Sequence, residues 1–315
     1  MLEIAAIITP IFLLIGVGFM AMRLSILSYE QMQGVGRFVL YIALPALLIR
    51  AITQNPLEEV FNVTYLLAYG LGSLGVFGLA LGYTVMLKKQ PLTTGSISAL
   101  GMSVSNSAFS GYPVAVMIIG PPAANFLALN MLIENLLIIP LALILAEAGS
   151  QAGRGVMKSL QKTLKQLAKN PILIGLFIGV LIAITDIHLP KPVTQAIDML
   201  ATAAGPAALF AIGGTLYGLK IRGVMGEVSQ IVTGKLVIHP LGVLICMWLI
   251  ADNDALLTAG ALLFASAPMA SIYPLLGQRY GMGNVAAGTL MAGTLMSFVT
   301  ISVIVGLMTY FDVLA

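Results

Sequence analysis

Charge is what this chain has least of. Asp, Glu, Lys and Arg make up 9% of its 315 residues, against about 25% in an ordinary soluble domain. Cysteine is nearly absent, with Cys246 alone, which excludes a disulfide scaffold. Two histidines and one cysteine leave no set of residues from which to assemble a metal centre, so no metal and no cofactor is expected. No G-x-x-x-x-G-K-[ST] stretch occurs, which speaks against an ATP-driven pump. A formal net charge of +3 is too small for a nucleic-acid-binding face. Apolar residues, by contrast, reach 59%, and the mean hydropathy is +1.02. A soluble protein of this size has too few polar groups here to clothe its surface. The composition is that of an integral membrane protein.

The apolar residues come in long unbroken runs rather than in short alternating segments, which selects helices over a barrel. Ten spans are expected, at 4–22, 35–53, 64–87, 94–118, 124–147, 171–187, 197–219, 231–251, 256–277 and 285–310. Glu3 stands where a cleavable signal peptide would carry a basic segment. All 15 Lys and Arg fall in connections or their flanks, thirteen of them after odd-numbered spans and only Arg50 and Lys191 on the other side. Lys235 is counted with the first group, as a flank of span 8, so no basic residue is expected deep in the bilayer. The positive-inside rule then puts both termini outside and the basic loop 148–170 in the cytoplasm of a bacterial inner-membrane protein. Lys158, Lys162, Lys165 and Lys169 fit a connector lying on anionic headgroups.

Two prolines repeat at one offset. Pro10 and Pro171 each open a span 161 residues apart, and Pro45 and Pro206 sit 161 apart inside later spans. This predicts two five-helix repeats, 1–150 and 171–315, joined by the basic connector 151–170. Five spans is an odd number, so the second repeat must be inverted, the arrangement of secondary transporters with a midplane binding site.

Span 4 breaks the rules for a lipid-facing helix. It carries Asn106, Ser107 and Ser110, then Gly111 and Pro113. Pro113 lacks a donor for residue 109, and Gly111 permits an unwound turn. Freed backbone groups at this depth need protein, water or substrate to satisfy them. Span 9 carries Pro268, 155 residues after Pro113, with Ser271 close by. The pair predicts two interrupted helices whose N–H groups and dipoles favour an anion. On this reading Pro113→Ala would heal its helix.

Four stretches carry a resemblance. "NSAFSGYP" (106–113) and "APMASIYPLLGQRYG" (267–281) resemble the two broken helices of the auxin efflux carrier family. "FVLYIALPALLI" (38–49) and "GPAALFAIGGTLYG" (205–218) resemble its second and seventh helices. The family contains the plant auxin exporters and bacterial carriers of malonate, malate and other carboxylates, and is related to bile acid/sodium symporters. The resemblance implies an all-α fold of ten transmembrane helices. Helices 1, 2, 6 and 7 would form a scaffold, and helices 3–5 and 8–10 a moving transport domain of elevator type. Helices 4 and 9 would cross at Pro113 and Pro268, with Asn106 at the substrate. A scaffold-mediated homodimer is also implied. In many relatives the position four after the second crossing proline is polar. Here it is Ile272, and a further proline, Pro274, follows.

Glu134 is the one acid expected well inside the bilayer, one helical turn after Asn130 and next to Asn135. It is either a proton carrier or a structural hydrogen-bonding group. Arg50 closes span 2 near the outer face, where it would attract anions or pair with Glu58 or Glu59. His188 and His239 are expected near opposite ends of spans 6 and 8. A carrier of a small organic anion is the leading reading, with a channel second. An intramembrane enzyme comes last, because no nucleophile with a base and no paired acids can be assembled.

Overall fold

The computed structural model describes residues 2–150, 161, 165, 168–217, 225–252 and 254–310, with the backbone alone for 2–8, 58 and 59. Lys158 and Lys162 lie outside the described residues. Every regular element among those described is helical, and β pairing is confined to a single bridge between Ser105 and Met269. Six helical runs are long and apolar enough to cross a bilayer: Tyr29–Thr53, Val63–Leu87, Ala123–Gly149, Lys191–Leu216, Met225–Ile250 and Gly283–Tyr310. Where the other four spans are expected, shorter apolar helices stand, at Thr9–Arg23, Ser107–Ile119, Pro171–Thr185 and Ala255–Ala265. Large apolar side chains such as Leu79, Trp248 and Leu249 point outward, more than 60% exposed, as lipid-facing residues do. This is a multi-pass membrane protein.

The elements, in chain order, are α1 (Leu2–Arg23), α2 (Tyr29–Phe38), α3 (Leu44–Thr53), α4 (Leu57–Val60), α5 (Val63–Gly82), α6 (Leu92–Ser103), α7 (Tyr112–Ile119), α8 (Ala123–Leu132) and α9 (Ile139–Gly149), followed by α10 (Pro171–Thr185), α11 (Lys191–Leu216), α12 (Met225–Thr233), α13 (His239–Ile250), α14 (Ala255–Ala265), α15 (Tyr273–Arg279) and α16 (Gly283–Tyr310). Several long runs are pieced together through widened turns with i→i+5 hydrogen bonding, at 39–43, 83–87, 133–138 and 234–238. In three of these runs a proline follows directly, Pro45, Pro140 and Pro240, each in the first turn of the next helix. Its missing N–H and bulky ring are accommodated by widening the turn before it.

The chain gathers into two compact units. One comprises residues 1–62, 107–131 and 168–219. Its helices meet through glycines, as expected where lipid offers no hydrophobic drive and close approach must supply dispersion instead. A Cβ at Gly18 would stand 2.0 Å from the Phe210 carbonyl oxygen, and one at Gly213 would stand 1.9 Å from that of Ile15. α1 and α11 therefore interlock backbone to backbone. Gly175 does the same for α10 against Pro45 of α3, where a Cβ would lie 2.6 Å from the proline Cα.

The other unit comprises residues 63–106, 132–167 and 220–315. Here Gly72 lets α5 approach α13, since a Cβ would lie 2.8 Å from Val243 Cα. Gly101 of α6 makes room for the Tyr273 ring of α15, and Gly234 for Met102. At one end of this unit Glu147, in the last turn of α9, binds both Arg279 Nη2 and the Tyr280 hydroxyl at 3.2 Å.

Candidate functional site

Two helices stop and restart. α6 ends at Ser103, and Val104 turns to extended backbone with φ −110° and ψ 133°. Ser105 pairs antiparallel with Met269, and the Asn106 N–H donates to the Pro268 carbonyl at 2.7 Å. The chain then takes a widened turn over Ser107–Gly111 before α7 begins at Tyr112. On the other side α14 ends at Ala265, residues 266–272 are not helical, and α15 begins at Tyr273. The paired stretches satisfy each other's freed backbone groups within the bilayer, as that medium demands.

The interruption of span 4 is therefore not where its proline suggests. Gly111 is helical, with φ −62° and ψ −57°, and Pro113 sits in the first turn of α7. It follows the widened turn Ser107–Gly111 directly, as Pro45, Pro140 and Pro240 follow theirs, and the wider turn accommodates its ring and missing N–H. The unwound residues are Val104–Asn106, upstream of both. Pro274 occupies the same place in the first turn of α15 and lies 161 residues after Pro113, the offset kept by the other two proline pairs. Pro113 and Pro274 thus hold like positions in their helices. Pro268 stands inside the second interruption, where its carbonyl accepts the Asn106 bond.

A charged group lies against this pairing. Lys235 is fully buried, in the widened turn between α12 and α13. Its Nζ has three acceptors in reach: Ser105 Oγ at 2.8 Å, the Ala265 carbonyl at 2.7 Å and His239 Nδ1 at 2.7 Å. An ammonium has three N–H groups, so charged Lys235 is fully satisfied. His239 Nδ1 then accepts, which leaves Nε2–H to donate to Ser73 Oγ at 2.9 Å. His239 is fully buried and edge-on to Tyr69, whose hydroxyl lies 3.2 Å from Ser105 Oγ. Tyr69 in turn stacks on Tyr65. Glu134, 2% exposed, lies in the widened turn before α9 and accepts from the Ser105 N–H at 3.0 Å. Ser105 thus receives Lys235 on its hydroxyl and presents its amide to Glu134. A buried cation and a buried anion share one serine, and each offsets part of the other's desolvation cost.

This cluster revises two sequence expectations. Lys235 does not flank the membrane at the end of a span, because helix begins at Met225 and Lys235 lies ten residues along a 26-residue run. His239 is likewise internal, one turn further on. The signal for both was a lysine and a histidine four residues apart inside an apolar stretch, and it was lost by opening span 8 at residue 231.

The other anticipated residues fall as follows. Asn106 is 8% exposed, and among the described residues its side-chain amide has no hydrogen-bond partner. Ser107, Ser110, Gly111 and Pro113 are buried, as is Asn130. Asn135 is half-buried and Ser271 is exposed. Arg50 donates from Nη1 to Thr202 Oγ1 at 3.3 Å. His188 is exposed in the connector after α10, its Nδ1 bonded to the Asp186 carbonyl. No group of three or more His, Cys, Asp or Glu suited to a metal occurs among the described residues.

An interrupted pair of membrane helices with a polar cluster at the break is how carriers build a binding site, and comparison with known proteins points the same way. The family model described as "Membrane transport protein" matches residues 4–305. The chain belongs to this family. It is the family of the auxin efflux carriers, as the four motifs imply. The "Putative malonate transporter" of Rhizobium meliloti strain 1021 is 29% identical over 304 residues, covering 96% of this chain and 95% of that protein. The "Uncharacterized transporter YfdV" of Escherichia coli K12 is 26% identical over 239 residues, 75% of this chain and 76% of that one. The "Lysosomal cholesterol signaling protein" of the mouse is 25% identical over 241 residues, 71% of this chain but only 27% of its own length. Two of these three relatives are named as transporters.

Proposed function

We propose that the chain is a secondary carrier of a small organic anion, a malonate-type carboxylate, across the bacterial cytoplasmic membrane. The observation that carries this reading is the Asn106 amide. It is nearly buried and without a hydrogen-bond partner among the described residues, and its own backbone N–H ties the two interrupted helices together. A substrate carboxylate there would accept charge-assisted hydrogen bonds, each contributing about 1.5–3 kcal/mol. Ser107, Ser110, Gly111 and Pro113 would complete the cradle on helix 4, with Pro268 and Ser271 on helix 9. Asn130 and Asn135 would support it, and the R. meliloti relative's name indicates the substrate class.

The movement we propose is an elevator-type exchange of the site between the two faces. Support comes from the chain's own grouping. Residues 63–106, 132–167 and 220–315 form a compact unit by themselves, and they include most of helices 3–5 and 8–10. Glu134 is the proposed proton carrier, facing Lys235 and, through Ser105, Tyr69 and His239. The ten-helix inverted repeat, termini outside and a dimer through helices 1, 2, 6 and 7 complete the reading.

Purified protein in proteoliposomes loaded with unlabelled malonate tests the whole proposal. Labelled malonate or malate should enter by saturable counterflow. Uptake that neither saturates nor shows counterflow means a channel, and no uptake of malonate, malate or indole-acetate ends the organic-anion reading.

A further inference from the structure

The first unit has a polar cavity of about 380 Å³, which the carrier reading leaves unused. It lies where the ends of α3 and α10 meet the first turns of α11, and its polar walls include Arg50, Gln54, Asp186, His188 and Asp198. Arg50 is half-buried there and uses one donor, on Thr202. A guanidinium has five N–H groups, and the rest have no partner among the described residues. No described carboxylate forms an ion pair with it, since the one ion pair among described residues is Arg279–Glu147.

The acceptors of the cavity are equally unspent. Asp198 Oδ1 takes a bond from Gln54 Nε2 at 3.2 Å, which leaves Oδ2 open. Asp186 stands in the left-handed region at φ 51° as the cap of α10, and its carbonyl receives His188 Nδ1–H at 3.0 Å. A plain anion would satisfy Arg50 but face two carboxylates. A cation would satisfy the carboxylates but face the guanidinium. A ligand with one ionised carboxylate and one O–H group meets both requirements at once.

We infer that this cavity is a capture site for a small acid of that kind, a half-protonated dicarboxylate or a hydroxy acid, held by Arg50 on its carboxylate and by Asp198 on its O–H. The inference rests on the carrier reading only in taking the captured acid as cargo. Capture of malonate should weaken as rising pH removes its second proton. The titratable and charged groups among the described residues that line the cavity are Arg50 on α3, Asp186 at the end of α10, His188 in the connector and Asp198 on α11.

Equilibrium binding to purified protein carrying Asn106→Ala tests the site with the proposed midplane site silenced. The probes are labelled malonate at acid pH, lactate, and propionate, which has a carboxylate but no second O–H when ionised. Malonate and lactate should bind and propionate should bind at least tenfold more weakly. Adding Arg50→Gln should weaken malonate at least tenfold, and Arg50→Lys, which keeps charge and bulk, should fall between. Asp198→Asn should narrow the gap between lactate and propionate. Unchanged malonate affinity in both Arg50 variants, or no malonate binding in the Asn106→Ala protein, overturns the inference. Arg50-dependent binding in a protein that transports none of these acids would sink the carrier reading and leave the capture site standing.

Discussion

Lys235 Nζ sits 2.8 Å from Ser105 Oγ while the Ser105 amide donates to Glu134, so one residue of an interrupted helix is held by a buried cation and a buried anion together. The extended conformation of Val104–Asn106 is thereby fixed from the side chains as well as by the Asn106–Pro268 bond. Removing either charge would disturb the stretch that carries the proposed substrate amide.

Lys235→Met keeps the length of the side chain but leaves Glu134 without its counter-charge. Breaking a buried pair from one side costs about 3–5 kcal/mol, so the melting temperature in detergent should fall clearly. Glu134→Gln with Lys235→Met should cost less than the two single changes added together. Additive losses would show that the two groups do not interact.

Glu134→Gln alone retains an acceptor for the Ser105 N–H and removes titration. The variant should fold, and its transport rate should lose most of its pH dependence. Uptake measured from pH 5 to 8 decides the point. An unaltered profile makes Glu134 a purely structural group.

Asn106→Ala deletes an amide that no described residue uses, so thermal stability should change by less than about 0.5 kcal/mol. Malonate affinity should fall about tenfold or more, corresponding to the loss of one charge-assisted bond of about 1.5–3 kcal/mol. Equal affinity in wild type and variant would place the substrate elsewhere.

Pro113→Ala gives the sharpest contrast with the sequence reading. Because Pro113 is in the first turn of α7 and the unwinding lies upstream, alanine there should not fuse the two half-helices. Transport should persist at no less than about half the wild-type rate. Abolished transport in a folded variant would show that the proline itself maintains the break.

Cysteines placed at 158 and 165, after replacement of Cys246, report orientation. An impermeant thiol reagent added to intact cells should leave both unlabelled until the membrane is permeabilised. Rapid labelling from outside would invert the proposed topology.

The all-helical membrane class was legible because long unbroken apolar runs suit bilayer-crossing helices rather than the alternating strands of a closed barrel. The existence of two interruptions was legible too, from Asn106, Gly111, Pro113 and Pro268 in otherwise apolar runs. Their register was not. A proline marks either a break or the first turn after one, and sequence does not separate these cases until Pro113 and Pro274 are seen to begin α7 and α15 alike. Lys235 escaped because a lysine near a span end looks like a topology signal, and only its three acceptors, drawn from α6, α13 and α14 or the residues bordering them, show it to be internal. Those partners are 130, 30 and four residues away, beyond the reach of any local pattern save the last.

The seam between α1 and α11 has a consequence for how this chain can vary. At Gly18 and Gly213 the space for a side chain is already taken by a facing carbonyl, 2.0 and 1.9 Å from where a Cβ would be. A methyl group at either position must push whole helices apart, since backbone, unlike a side chain, has no other rotamer to adopt. The two sites therefore act as a matched lock in which neither half tolerates even the smallest addition. A substitution weighing only 14 daltons more here would be felt along the contact between the two helices.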